Sequence, residues 1–244
     1  MLPDVGLTDL RIITSRRGYE FAPDTLRLTS LSMQPVVDHL KAGLSFQSVQ
    51  IGTPPPTFGE VPLTIPPGLV FVMGVFPSNG NTLVPIRSVC IEPARIVIDV
   101  AGPSEVCGKV FSTLKSRIKT VRAADGSQII GAPSRMLDSS EVSFRLPGRV
   151  ARFVDARFLN VLSSLPTTTQ WVANGMDVVP SLRLHFQRPS ERYIGTQFGY
   201  DPYGFVLEVR AGSQPGDATL FSSAPLDDIA HVQYLQQLAR AFEE

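Results

Sequence analysis

Alternation of apolar and polar residues constrains the fold of this chain more than any other feature. Successive side chains of a β-strand face opposite sides of the sheet, so alternation over about four to eight residues predicts a half-buried strand. We therefore expect antiparallel strands with one apolar face toward a core and one polar face toward water. The pattern occurs in four segments: ARIVIDV (94–100), SEVSFRL (140–146), SLRLHFQR (181–188) and GFVLEVR (204–210).

A different kind of strand is predicted at LVFVMGVF, residues 69–76, where apolar residues follow one another without alternation. Such a run is typical of a central strand that is covered on both sides. The preceding segment, GTPPPTFGEVPLTIPPG at 52–68, is stiffened by its prolines. We expect an ordered surface loop ending in a turn at Pro67 and Gly68, with a partner-binding arm as the alternative.

Apolar residues at steps of three and four predict helices. The pattern is clear in SEVCGKVFSTLKSRI, residues 104–118, and weaker at 33–43. Residues 148–165 carry a broad apolar stripe that favours a helix over a strand. Near the C-terminal end, Asp227 and Asp228 are typical of a helix start. The predicted buried face of that last helix consists of Ile229, Leu235, Leu238 and Phe242.

The order of these elements predicts an α+β fold with a mainly antiparallel sheet and three to four helices packed on one face. Residues 1–244 are expected to form a single domain, with a possible subdivision into 1–122 and 123–244. Segments 86–118 and 182–243 each run strand, strand, helix, so the chain possesses two similar subdomains if these segments arose by duplication.

Composition excludes several function classes. Lys and Arg together number 22, as do Asp and Glu, so no global charge draws the protein to nucleic acid or a membrane surface. No segment has the length and hydrophobicity of a membrane-spanning helix, and the N-terminus has no signal-peptide pattern, so we expect a soluble cytoplasmic protein. Cys90 and Cys107 are expected to be free buried thiols.

Motifs for catalysis, cofactors and metals fail on spacing. GPSEVCGKV, residues 102–110, lies where a phosphate loop would, but five residues separate its glycines and Val follows Lys109. We interpret it as a helix start in which Gly108 packs closely. His231 is expected to be a structural, hydrogen-bonded histidine, while His185 lies on the polar face of a strand. No cofactor and no metal is predicted, although an enzyme with a dispersed site stays open.

Charge is distributed unevenly despite the neutral total. Residues 109–157 contain ten basic residues against four acidic ones, a net charge of +6. Such a segment can follow a phosphate backbone or can solvate two helices and a strand face. The candidate nucleic-acid-binding residues are Lys109, Lys115, Lys119, Arg145, Arg149 and Arg152.

The leading hypothesis is a non-enzymatic interaction or assembly subunit, because the charged fraction is low and catalytic motifs are lacking. A protein partner or self-association is expected. The alternatives are a nucleic-acid-binding module that uses residues 109–157 and an enzyme with a dispersed site. Candidate partner contacts are Tyr200 and Tyr203 in the turn FGYDPYGF, together with Arg183 and His185.

Overall fold

A computed structural model describes residues 7–23, 25–26, 33–52, 68–78, 82–92, 94–119, 126, 128–145, 181–185, 204–209 and 219–241. Within these ranges the chain forms nine strands and three helices. In chain order they are β1 (Thr8–Glu20), α1 (Met33–Leu44), β2 (Ser48–Gly52), β3 (Gly68–Pro77), β4 (Leu83–Glu92), β5 (Arg95–Val100), α2 (Ser104–Ile118), β6 (Arg135–Arg145), β7 (Ser181–His185), β8 (Gly204–Val209), β9 (Thr219–Ala224) and α3 (Asp228–Ala241).

All nine strands belong to one sheet, in the order β2-β3-β4-β5-β1-β6-β9-β8-β7. Every pairing in it is antiparallel. The prediction of a mixed fold with an antiparallel sheet is therefore confirmed. The number of helices and their position on one face stay predictions for the whole chain, because residues 148–165 lie outside the described ranges.

The strand order repeats on the two sides of the central β1–β6 pair. Outward from β1 come β5, β4 and β3, and outward from β6 come β9, β8 and β7. In both halves a hairpin leads into a helix, through residues 101–103 before α2 and residues 225–227 before α3. The two hairpin strands end in one row across the sheet, formed by Val100, Ser15, Ser140 and Ala224. The starts of α2 and α3 are thereby brought together above this row.

One core lies between α1, α2 and the β3–β4–β5–β1 half of the sheet. The alternating residues Ile96, Ile98 and Val100 are fully buried, as the sequence pattern predicts. Phe111 of α2 stacks on Tyr19 of β1 with ring centroids 3.8 Å apart. The predicted apolar face of α2 is buried throughout: Val106, Cys107, Val110, Phe111, Leu114 and Ile118.

A second core lies beneath α3. There Val142 and Phe144 of β6 pack with Phe205, Leu207 and Leu220 of the outer strands. Leu235 and Ala239 of α3 complete this cluster. Ile229, however, is 68% exposed, so its predicted burial is wrong. The residues that face the sheet are His231, Leu235 and Ala239, which are spaced by four, and Ile229 precedes His231 by two residues and faces away.

The prediction that the other sheet face is open to water is wrong at its centre. Val97, Asp99 and Ser143 alternate with the core residues, yet each is less than 10% exposed. Burial of Asp99 is tolerated because its carboxylate accepts hydrogen bonds from Thr14 and Arg16. The strand at 69–76 is likewise not fully covered, since β3 is second from the end of the sheet and Met73 is 60% exposed.

Other predictions fall on residues that the structure does not describe. They are the loop at 53–67, the helix at 148–165, the predicted burial of Phe242, and the candidate contacts Arg149, Arg152, Tyr200 and Tyr203. The predicted turn at Pro67 and Gly68 is described only at Gly68, where β3 begins.

Candidate functional site

A cleft of about 370 Å³ lies between the C-terminal half of α2 and residues 128–130. Its lining contains Lys115 and Lys119, two of the predicted nucleic-acid contacts. The buried side chains of Ile118, Ile129 and Ile130 also line it. The cleft thus combines two cationic side chains with an apolar floor.

Of the other basic candidates, the two that the structure describes, Lys109 and Arg145, do not line this cleft. Lys109 lies nearer the start of α2 and forms an ion pair with Glu105, with 3.0 Å between Nζ and Oε1. Arg145 ends β6 and lies 3.4 Å from Asp9. Arg145 is nine residues, or about 30 Å along the strand, from Met136. Met136 is the β6 residue paired with Tyr19, and Tyr19 stacks on Phe111 of α2, the helix that lines the cleft.

Two of the predicted partner contacts, Arg183 and His185, lie on β7 at one end of the strand order. Arg183 pairs with Val206 and His185 with Gly204 of β8. Because β7 has one described neighbour only, its second edge is not paired within the described sheet. The two residues occupy alternate positions along β7.

The far end of the β3–β4 hairpin carries an apolar surface that sequence analysis did not identify. Val75 pairs with Pro85, and Pro77 pairs with Leu83. These four residues lie on one face because directly paired residues, and residues two apart, share a face. We call them the hairpin patch. Leu83 is 63% exposed, Pro77 and Pro85 are exposed, and Val75 is half-buried.

Beside the hairpin patch, β3 has an open backbone edge. The Pro85 carbonyl accepts a hydrogen bond from the Ala101 N–H at 2.9 Å, toward β5, and Pro85 has no N–H. Val75 consequently does not exchange hydrogen bonds with Pro85, and its N–H and C=O point away from β4. The pairing with β2 ends at Ser48 opposite Val72, and the Gln47 N–H still donates to the Met73 carbonyl at 3.1 Å. The stretch of β3 with no described strand beside it therefore begins at Gly74 and includes Val75.

His231 joins α3 to the sheet in a fully buried polar site. Its side chain is 0% exposed, with Ser140 Oγ 2.8 Å from Nδ1 and Ser222 Oγ 2.9 Å from Nε2. Each serine hydroxyl also lies within 3.0 Å of a carbonyl oxygen, of Leu226 and Val206 respectively. The expectation of a hydrogen-bonded structural histidine agrees with these contacts.

The protonation state of His231 follows from its burial, which lowers its pKa to about 4, against the opposing effect of Asp228. A neutral imidazole has one donor and one acceptor nitrogen. One serine therefore donates to the ring and the other accepts from it. The serine that donates to the ring gives up its bond to a carbonyl, because a hydroxyl carries one hydrogen only.

The starts of α2 and α3 are linked by a direct contact. Asp228, the first residue of α3, accepts hydrogen bonds from the Ser104 hydroxyl and, at 3.2 Å, from the Ser104 backbone N–H. The carboxylate therefore occupies the place at the start of α2 where a phosphate would bind in a phosphate loop. Gly108 is not closely packed as expected, since a Cβ there would meet only Arg17 Nη1 at 3.5 Å.

A polar cluster on the opposite sheet face joins β5, β1 and β6. Arg16 Nη2 lies 2.7 Å from Asp99 Oδ2, and Thr14 Oγ1 donates to Asp99 Oδ1 at 2.7 Å. Glu141 pairs with Thr14 across β1 and β6. Burial raises the pKa of Glu141, the Asp99 charge adds to this rise, and Arg16 and Arg87 oppose it. Asp99 and Glu141 bring two carboxyl groups together in this cluster, as an enzyme with a site dispersed in sequence would require. The enzyme hypothesis stays a prediction.

Sequence reasoning missed Asp228, Ser104 and Glu141 as interacting groups, because their partners are about a hundred residues away in the chain. The two cysteines are free and buried, as predicted. Burial raises the pKa of the Cys107 thiol to about 12. Within the described ranges, no three His, Cys, Asp or Glu residues are arranged to hold a metal ion. No helix in those ranges is long and apolar enough to cross a membrane.

No family model and no curated protein matches this chain.

Proposed function

We propose that this protein is an interaction subunit that associates with a second copy of itself through the hairpin patch and the adjoining edge of β3. The observation that carries the proposal is the combination, in one place, of exposed apolar side chains and backbone groups with no strand partner among the described residues. Apolar patches on a protein surface commonly mark interaction sites. An open strand edge accepts a further strand by main-chain hydrogen bonds.

The β3 edge fits a copy of itself. In a two-fold symmetric interface the same surface meets itself, and two antiparallel β3 edges satisfy this condition around Val75. Val75 supplies a donor and an acceptor on that edge, while Pro77 lacks an N–H and limits the pairing to a short stretch. The formal net charge of zero leaves no global repulsion between identical copies.

The buried polar groups support an interaction role over a catalytic one. His231, Asp228 and Asp99 all bond to side chains of this same chain, and each is less than 10% exposed. A general acid or base must reach its substrate directly or through one water. The hairpin patch, in contrast, is accessible. Nucleic-acid binding by the basic segment is retained as the alternative, favoured by the shared cleft position of Lys115 and Lys119.

Amide hydrogen exchange at the Val75 N–H tests the proposal. We expect exchange of the Val75 N–H to slow as protein concentration rises, because strand addition would give this donor a partner. The Ser78 N–H is the internal control, since it already donates to the Thr82 carbonyl at 2.8 Å. Exchange of Val75 that does not depend on concentration would reject self-association through this edge.

A further inference from the structure

We propose that the cleft beside the C-terminal half of α2 binds a small phosphate ester, with its organic part on the isoleucine floor and its phosphate between Lys115 and Lys119. This inference is independent of self-association through the hairpin patch. The cleft has a volume of about 370 Å³, which lies within the range of small-ligand sites.

The floor of the cleft is suited to an apolar group. Ile118 and Ile129 are each 1% exposed and Ile130 is 5% exposed, so they form a rigid surface continuous with the core. Ile130 is further held by its bridge to Leu26. A ligand group seated on this floor gains dispersion contacts with these fixed side chains, although it removes little apolar surface from water.

The cationic side of the cleft is suited to a dianion. Lys115 and Lys119 are four residues apart, which places their side chains on one face of the chain as it leaves α2. None of the described residues that line the cleft is acidic, and neither lysine forms an ion pair with a described residue. Two ammonium groups match the charge of a phosphate monoester better than the single charge of a carboxylate.

The other cation of this helix end points elsewhere. A Cβ added to Gly43 of α1 would collide with the guanidinium of Arg117, so Arg117 lies against α1. Lysines near a helix end also stabilise the helix through its dipole. That role requires their charge but no cleft, so ligand binding is the measurement that separates the two roles.

The probe is phenyl phosphate, with phenol and inorganic phosphate as its separate halves, in a titration followed by protein NMR shifts. We expect shifts of the Ile129 and Ile130 amides and tighter binding of phenyl phosphate than of either half. Lys115→Gln and Lys119→Gln should each weaken binding about fivefold, the loss of roughly one partly exposed charge contact. Lys109→Gln is the matched control on the same helix and should leave binding unchanged.

Three results would overturn the inference: no saturable shift with phenyl phosphate, equal affinity in both cleft variants and the wild type, or shifts confined to residues outside the cleft. A short thymidine oligonucleotide is titrated in parallel to distinguish a free ester from a nucleic-acid backbone. Binding of the oligonucleotide that is tighter than that of phenyl phosphate and is weakened by Lys109→Gln would assign the lysines to a polyanion track instead. Thermal unfolding of each variant verifies that the fold is retained.

Discussion

Single polar side chains determine how the helices are attached to this sheet. His231 bonds to serines from two strands, and Asp228 bonds to the first residue of the other helix. These contacts leave no periodic signal in the local sequence, because Ser140 is 91 residues from His231 and Ser104 is 124 residues from Asp228. The buried neutral state of His231 nevertheless has a measurable consequence.

We expect His231 to reduce stability as the solution becomes acidic. Its pKa is about 4 in the folded protein and near the ordinary value of 6.5 when unfolded. The unfolded chain therefore binds an extra proton between these values, so stability is full above pH 6.5 and decreases toward pH 4. Urea unfolding at pH 7.5 and 5.0 should show a loss of about 1–2 kcal/mol from this group.

His231→Gln isolates that effect, because glutamine does not titrate and should reduce the pH dependence. The raised pKa of Glu141 acts in the opposite direction, but it is present in both proteins and cancels in the comparison. His39→Gln is the control, since His39 is exposed on α1. An unchanged pH dependence in His231→Gln would contradict a buried neutral histidine.

Asp228→Ala should destabilise the protein by about 2–3 kcal/mol, because it leaves the Ser104 N–H and hydroxyl buried without an acceptor. Asp228→Asn keeps one acceptor oxygen and should cost less. Glu105→Ala removes an exposed ion pair with Lys109 and a negative charge in the first turn of α2, and should cost about 1 kcal/mol or less. Urea midpoints compare the three variants, and similar losses for Asp228→Ala and Glu105→Ala would argue against the helix link.

At the scale of elements, apolar periodicity was sufficient to predict an element where one apolar face of it packs on a core. The bounds and buried face of α2 were predicted almost residue by residue, because its apolar stripe packs on one sheet face. Periodicity was insufficient for α3, where a polar His231 occupies the central buried position and Ile229 faces away. It was also insufficient for the second sheet face, where buried polar groups satisfy one another.

Replacing Gly108 and Gly74 with alanine should change the stability of the protein in opposite directions, because Gly108 has space for a Cβ and Gly74 does not. Gly108 lies within α2 with space for a Cβ, so Gly108→Ala should stabilise the protein by about 0.5–1 kcal/mol. Gly74 lies in β3 with Phe46 Cδ1 2.6 Å and the Leu44 carbonyl 2.9 Å from an added Cβ, so Gly74→Ala should cost about 1–3 kcal/mol. Thermal unfolding measures both, and a destabilised Gly108→Ala would show that α2 needs this glycine.

At the scale of the whole molecule, the fold class was predictable but the sheet order was not. Local patterns identify strands, whereas the placement of β1 between β5 and β6 depends on contacts across most of the chain. The predicted strand, strand, helix order holds for 86–118, but segment 182–243 contains three strands, β7, β8 and β9, before α3. The meeting of the two helix starts above one row was not predicted. Local patterns did not predict the candidate sites either, because the cleft joins α2 to a later segment and the hairpin patch depends on strand register.

Sedimentation velocity tests self-association through the hairpin patch most directly. Wild-type protein is compared over a wide concentration range with Leu83→Asp, which places a charge in the patch, and with Ile229→Asp, which alters an equally exposed apolar residue on α3. We predict that the wild type and Ile229→Asp form dimers as concentration rises, whereas Leu83→Asp remains monomeric. A wild-type protein that is monomeric throughout, or a Leu83→Asp variant that dimerises equally well, would contradict the account.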